Sequence, residues 1–339
     1  AKDPRNAERI FPYIGGEEVN TSTTHAHHRY VINFGEMTEE EALRWPDLMG
    51  IVEAKVKPDR DQLADNPDGR RRRAYWWQWG RDTPALSRAI AGLDRVLANS
   101  QVSTRVQFAF LPINMVYAHT LNVFPLPTHA AFALLQSRPH ELWARFFGSS
   151  LEDRLRYTPS DCFETFPFPP NWQSAPTMEA AGQTYYDFRA ALMVRNDQGL
   201  TKTYNRFHSP NECDPDIFKL RELHSAMDRA VLDAYGWSDI ATDCDFLLDY
   251  EIDEATWGDK KKPFRYRWPD AVRDEVLARL LDLNQRRHQE EVVAGLHGKV
   301  DKVAPVVAKK PRGPRKARAA KGEASQGTLS LSGRDEEDT

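Results

Sequence analysis

The stretch Ala133–Pro170, ALLQSRPHELWARFFGSSLEDRLRYTPSDCFETFPFPP, constrains this chain most, because an apolar helical pattern gives way there to a segment that cannot be helical. In its first part Phe132, Leu135, Leu142, Trp143 and Phe146 recur at intervals of three and four, with Arg138, Glu141 and Arg145 off that face. Pro139 interrupts the pattern and predicts a bend or break. After Gly148 the periodicity stops, and aromatic residues from Tyr157 to Trp172 alternate with Thr and Pro. Four prolines between Pro159 and Pro170 exclude a helix and predict an extended strap lying on a surface. Phe163, Phe166 and Phe168 are expected to be largely buried. The stretch is a hinge between unlike halves.

The runs QSRPHELWA and RYTPSDCFETFPFP within it resemble the join between the target recognition domain and the C-terminal helical region of MmeI-like (type IIL) restriction-modification enzymes and related adenine-specific DNA methyltransferases. Further segments similar to that family are PYIGGEEVN followed by the strand pattern YVINF, then VKPDR at Val56–Arg60, VSTR at 102–105, GLTKTYN at 199–205, and LHSAMDRAVLDAYGW at 223–237. The similarity covers nearly all of residues 10–294. It implies a DNA-reading α+β half followed by helices.

With 339 residues and 40% apolar content, the chain can bury one large core or two ordinary ones. No run of about 18 apolar residues occurs, and the opening AKDPRNAERI lacks a signal-peptide centre, so a cytoplasmic protein with no membrane role is expected. An opening Ala1 in a charged stretch is compatible with a fragment. Cys162, Cys213 and Cys244 lie far apart without metal-ligand spacing, which points to reduced thiols and no metal site. The net charge of −4 averages unlike parts: residues 299–321 carry nine Lys or Arg against one Asp, and the last eighteen residues carry one Arg against five acids. DNA binding must therefore rest on local patches. The tail, 297–339, is expected to be disordered, its basic half adding salt-sensitive, non-specific affinity.

Along the chain, Ile10–Asn20 predicts a strand end and a tight turn at Gly15-Gly16, with no phosphate-binding signature following it. His25, His27 and His28 lack an adjacent carboxylate or Cys at ligand spacing and read as a polar loop or edge. Thr38 predicts the N-cap of a helix from Glu39 to Met49. Pro46-Asp47 with Glu53-Ala54-Lys55 has the letters of a PD-ExK nuclease, in which Asp47 and Glu53 would share a divalent metal and Lys55 would stabilise developing charge. Asn66-Pro67-Asp68-Gly69 predicts a turn, followed by the strongest nucleic-acid signal: Arg70, Arg71, Arg72 and Arg73, then Tyr75, Trp76, Trp77 and Trp79. The tryptophans are expected to be core, and the arginines, extended by Arg81, to contact DNA. Pro84–Asn99 predicts one amphipathic helix, and Gln101–Phe124 two or three strands. Ser103 and Arg105 open that strand set and are DNA-contact candidates through the family resemblance. Helices are predicted over Met178–Val194 and Asp216–Tyr235, with a polar loop at Gly199–Pro210 exposing Lys202, Tyr204 and Arg206 to phosphates.

An adenine methyltransferase of the resembled kind needs an S-adenosylmethionine loop and an [DNS]PP[YF] motif for the flipped base. Neither occurs, the sole Pro-Pro being Pro169-Pro170 after Phe168, so no catalytic, cofactor-binding or metal residue is assigned. The expectation is an α+β fold with a recognition domain at 1–125, a connecting helix and strap at 126–175, a helical domain at 176–296 and the tail. The partners would be double-stranded DNA, an upstream methyltransferase domain using S-adenosylmethionine, and other subunits of a phage-defence system. The rival readings are the nuclease and a protein-interaction scaffold.

Overall fold

The computed structural model describes residues 3–79, 83–151, 154–249 and 262–296. A 3-10 turn at Pro4–Arg9 leads into β1 (Ile10–Ile14), and β2 (Arg29–Ile32) returns antiparallel to it, Tyr13 opposite Arg29. Between them a helix, α1 (Gly16–Thr21), replaces the expected tight turn. The Glu18 carboxylate accepts from the Gly15 amide at 3.0 Å and so closes the helix start.

Proline decides where the next helices begin. Thr38 caps α2 (Glu39–Ala42) as expected, its Oγ1 accepting from the Glu41 amide at 3.2 Å, but the helix stops there and α3 (Pro46–Lys55) starts afresh. Pro46 has no N–H to donate and fits only a first turn. The same device opens α4 (Lys57–Asp61), α5 (Pro67–Ala74) and α6 (Pro84–Ile90). The helix predicted over Pro84–Asn99 therefore covers only its first half: after Gly92, at φ +87, the chain extends into β3 (Arg95–Ser100). β3 is the centre of a sheet ordered β5-β3-β7, and consecutive Val96, Leu97 and Ala98 are all fully buried. A strand covered on both faces loses the alternation that identifies strands in sequence.

The remaining short strands are β4 (Val102–Ser103), β5 (Ala109–Pro112), β6 (Val116–Tyr117) and β7 (Leu121–Phe124). β6 joins β1 in parallel, giving the order β2-β1-β6. Next, α7 (His129–Gln136) and α8 (Arg138–Phe147) are separated at Ser137, with Pro139 in the first turn of α8, so the predicted break is present. The break also resets the helical phase, and Phe146, expected on the apolar face, is 53% exposed. The strap contains β8 (Ser149–Leu151), β9 (Arg154–Arg156), which pairs β4, and one helical turn, α9 (Pro159–Cys162), where the proline density predicted none. Phe166 is buried, while Phe163 and Phe168 are partly buried against the core. The strap is tied down from the helical side: Tyr235 donates to the Pro167 carbonyl at 2.8 Å and Asn284 to the Thr165 carbonyl at 2.6 Å.

The helical part comprises α10 (Pro176–Arg195), α11 (Leu200–Phe207), α12 (Pro215–Ala234) and α13 (Asp270–Val293), with the hairpin β10 (Asp245–Leu248) and β11 (Phe264–Arg267). α10 and α12 follow the sequence expectation closely. The expected polar loop at 199–210 is instead largely α11, which buries Leu200, Thr203, Tyr204 and Phe207 at positions i, i+3, i+4 and i+7.

One apolar core runs through Ile14, Leu97, Phe132, Trp143, Tyr185, Leu220, Trp268 and Leu280, so strands, strap and helices share it. A smaller second core, Phe34, Ala42, Trp45, Leu48, Met49, Val52, Trp76 and Trp77, is built from α2, α3 and the tryptophans that follow α5. Ala1–Glu290 forms one compact unit and Glu291–Thr339 a second. Apart from the end of α13 and its C-terminal turn, the second unit, including the predicted tail, lies outside the described residues.

Candidate nucleic-acid interface

Asn66 begins the basic helix. Its Oδ1 accepts from the Gly69 amide at 2.8 Å, so the NPDG sequence predicted as a turn is a helix N-cap followed by a first-turn proline. Gly69 is required there because a Cβ would stand 2.1 Å from the Ala64 carbonyl oxygen. Four consecutive arginines then spread around α5. Arg70 and Arg73 reach Asp65 at 3.2 and 2.9 Å, Arg72 lies 2.9 Å from Asp68, and Arg71 is exposed. These are surface pairs, individually worth about 0–1 kcal/mol, so exchanging an aspartate for a phosphate costs little. Arg81 lies outside the described residues.

The aromatic run divides. Trp76 and Trp77 are core, as expected, and Trp77 Nε1 donates to the Met37 carbonyl at 2.8 Å. Tyr75 and Trp79 are not core: they are 49% and 36% exposed. Trp79 donates to the Ile32 carbonyl at 3.0 Å and stacks on Tyr13 with ring centroids 6.1 Å apart. Its place at the end of the run, past the buried pair, puts it at the rim of a cleft of about 750 Å³ between β1, β6 and α6, into which Arg60 and Arg72 face.

Ser103 and Arg105 occupy a different place. Ser103 Oγ accepts from the Arg105 amide at 3.3 Å, and the side chain of Arg105, expected as a DNA-contact candidate, is only 18% exposed. It sits among Arg145, Arg265, Glu141 and Asp249. Arg265 donates to Asp249 at 2.6 and 2.7 Å and to Glu141 at 2.6 Å, which leaves Arg105 at 4.0 Å from Asp249. Burial first, then the Arg265 charge, pushes the Arg105 guanidinium down to about 9. Burial works against ionised Glu141, yet Arg265 and Arg145 hold it at about 2.

On α11, Lys202 is exposed, but Tyr204 is a correction to the sequence reading. It is 2% exposed, with its hydroxyl bonded to the Tyr185 hydroxyl at 2.8 Å and to Arg189 at 3.0 Å. Arg206 is engaged as well, donating to Glu212 at 2.7 Å and Asp214 at 2.6 Å. The structure thus gathers Arg70 to Arg73 on one short helix and brings Arg105 beside α11, where it borders a small void with Tyr204 and His208. Sequence reasoning missed Arg60, Arg145, Arg189 and Arg265. Arg60 stood in the VKPDR segment, and the others carried no sequence signal, since only long-range packing brings them together.

The nuclease arrangement is overturned by geometry. Asp47, Glu53 and Lys55 all lie on α3, where a six-residue separation is about 240° around the axis. Asp47 accepts from Asn6 at 3.0 Å and Glu53 pairs with Lys57 at 3.1 Å, so the two carboxylates serve different neighbours. The three histidines diverge likewise: His25 bonds the Val19 carbonyl, His27 packs edge-on against Tyr30, and His28 approaches Glu18. Among the described residues no group of three or more His, Cys, Asp or Glu could hold a metal ion. Nor does the paired-glycine segment fit S-adenosylmethionine. The Gly15 amide is taken by Glu18 and the Gly16 amide by Thr120 Oγ1 at 3.1 Å, and a Cβ on Gly16 would already meet Ser100 Oγ at 3.0 Å.

A well-packed α+β scaffold that presents a short cationic helix beside a cleft is the architecture of a recognition domain. The chain belongs to the family of MmeI target recognition domains, whose model matches residues 1–170. Among solved structures, the type IIL restriction-modification enzyme MmeI in complex with DNA has a similar fold, with a TM-score of 0.60 at 18% identity over 85% of this chain and 32% of that one. This chain therefore spans about a third of that enzyme's length. No curated protein matches it.

Proposed function

We propose that this chain is the sequence-specific, double-stranded DNA recognition module of an adenine-specific DNA methyltransferase of the type IIL restriction-modification kind. The observation that carries this reading is α5, which holds Arg70 and Arg71 on the surface while Trp76 and Trp77, just past its C-terminal end, are anchored in the second core. The DNA-bound state of the structurally similar MmeI supports it. On this reading Arg70, Arg71, Arg72 and Arg73 set register on phosphates, with Arg81, Ser103, Arg105 and Lys202 as further contacts. Tyr204 and Arg206 act indirectly, by holding α11 in place. The methyl transfer itself, with S-adenosylmethionine, belongs to a methyltransferase region of the parent enzyme, within a phage-defence system acting in the cytoplasm.

The test is a duplex-binding titration over a range of salt concentrations. Wild-type affinity should fall steeply with salt, and the double variant Arg70→Gln, Arg71→Gln should flatten the log–log slope by about 1.8, or roughly 0.9 per lost phosphate contact. If no duplex is bound, by this chain or by the chain rejoined to a methyltransferase region, the reading is wrong.

A further inference from the structure

Two arginines face the cleft between β1, β6 and α6 with hydrogen-bonding capacity that the protein leaves unused. Arg60 Nη1 and Arg72 Nε are both buried, and neither has a hydrogen-bond partner. The bond from Arg60 Nη2 to the Gln78 carbonyl is long, 3.5 Å. Arg72 Nε lies 2.9 Å from Asp68 Oδ2, but out of line for a hydrogen bond. Buried donors are nearly always satisfied, and leaving them unmade is costly, so a pair of such atoms at one cleft calls for a missing acceptor.

The surroundings say what kind of acceptor. Among the described residues lining this cleft there is no carboxylate, whereas Trp79 adds a partly exposed ring. Arg60 and Arg72 repel each other, and burial together with Arg72 lowers the proton affinity of Arg60, with Asp68 the one carboxylate opposing this. The arginine-lined cavity beside α8 contains Glu141, Asp249 and Asp274, and the one lined by Arg221 and Arg229 contains Glu222 and Asp243, so both are internally compensated. Among the described residues, the cleft at Arg60 combines adjacent cations, unused donors and open volume. A tetrahedral oxyanion answers all three, because one oxygen can accept from each guanidinium at once.

We propose that Arg60 and Arg72 form an oxyanion site that takes a backbone phosphate of the bound DNA, with Trp79 at its rim against the adjoining sugar or base. The assignment rests on the DNA-recognition reading above. It adds a contact point apart from the exposed Arg70 and Arg71, gives Arg72 a specific partner in Arg60, and makes Arg60 a positioning residue for the duplex.

The experiment uses the full chain as wild type, Arg60→Gln and Arg60→Lys, measuring duplex affinity from 0.05 to about 0.3 M NaCl and thermal midpoints with and without sodium phosphate at constant ionic strength. Arg60→Gln should lose roughly 5- to 10-fold in affinity near 0.1 M salt and reduce the slope by about 0.9, as expected for one phosphate contact. Its midpoint in the absence of DNA should be equal to or above that of wild type, because a partly buried cation repelled by Arg72 has been removed. Arg60→Lys should keep the slope while losing part of the affinity, since the charge stays and the planar fork goes. Unchanged affinity and slope in Arg60→Gln overturns the site. So does a lost affinity that comes with a lower midpoint and an unchanged slope, which marks structural damage. Stabilisation of wild type but not Arg60→Gln by inorganic phosphate, with DNA binding unaffected, reassigns the site to free phosphate and removes DNA from it. A wild-type chain that binds no duplex refutes the broader reading, and the site then stands as an oxyanion site only if that phosphate stabilisation appears.

Discussion

Gly182 offers a sharp test of how the helical part is joined to the strand-bearing part. It lies in the middle of α10, where it faces α7, and a Cβ there would stand 2.2 Å from the His129 carbonyl oxygen and 3.0 Å from the Ala133 Cβ. Two effects of Gly182→Ala oppose each other. Alanine is the better helix former by about 1 kcal/mol, which favours the variant. Against this, the nearest obstacle is backbone, and every residue of α7 is buried, so the helix cannot give locally. Restoring ordinary van der Waals contact needs a separation of about 1 Å, which would also stretch the bond from the Ala130 amide to Glu179 Oε2, now 2.6 Å. Overpacking of this kind costs about 1–3 kcal/mol, and a backbone clash belongs at the upper end. The net expectation is a loss of about 2 kcal/mol, read as a lower urea midpoint at unchanged m in an equilibrium unfolding curve. A variant as stable as wild type, or more stable, would show that α7 and α10 do not approach this closely and would refute the packing argument.

Asp228→Asn should cost about 3–5 kcal/mol in the same assay, because it strands the Arg138 guanidinium, which is 5% exposed and loses its buried counter-charge. Asp233→Asn, at the exposed Arg229 pair, should cost less than about 1 kcal/mol; equal losses would contradict the burial argument. Stability should also fall on mild acidification. His140 is buried and neutral, with Nδ1 donating to the Leu135 carbonyl at 2.7 Å and Nε2 accepting from the Tyr157 hydroxyl at 3.0 Å, and burial pushes its pKa from 6.5 down to about 4. The unfolded chain therefore takes up the proton first, and stability present above pH 6.5 is lost as pH falls toward 4, by up to about 3 kcal/mol. Carboxylates held low, such as Glu141 at about 2, contribute only below their ordinary range, so a urea midpoint that stays flat from pH 7 to 5 would count against the histidine argument. Trp77→Ala should cost about 3–5 kcal/mol and lower DNA affinity through loss of the anchor past the end of α5, with thermal melting and duplex titration both moving.

Local patterns carried much of the fold. The spacing of Tyr185, Phe188 and Leu192, and of Ile217, Leu220, Met227 and Val231, marked α10 and α12 because each helix packs one face and its periodicity is a local property. The break between α7 and α8 was visible in Pro139. Errors arose where a local signal had two solutions. Asn66-Pro67-Asp68-Gly69 serves a turn or a helix N-cap equally well, Val96-Leu97-Ala98 suits a helix or a central strand, and GLTKTYNRF looked like a loop because its apolar face is narrow.

The sequence by itself determined that a run of arginines stands next to an aromatic cluster and that a proline-rich strap joins a mixed part to a helical part, since these are properties of neighbouring residues. Tertiary structure alone decided which cations are available. It closed Tyr204 against Tyr185 and Arg189, engaged Arg206 with Glu212 and Asp214, sank Arg105 among Arg145 and Arg265, and left Arg60 and Arg72 with unused donors at an open cleft. Whether a charge is free depends on partners distant in the chain and on burial, and neither is encoded in any local stretch of residues.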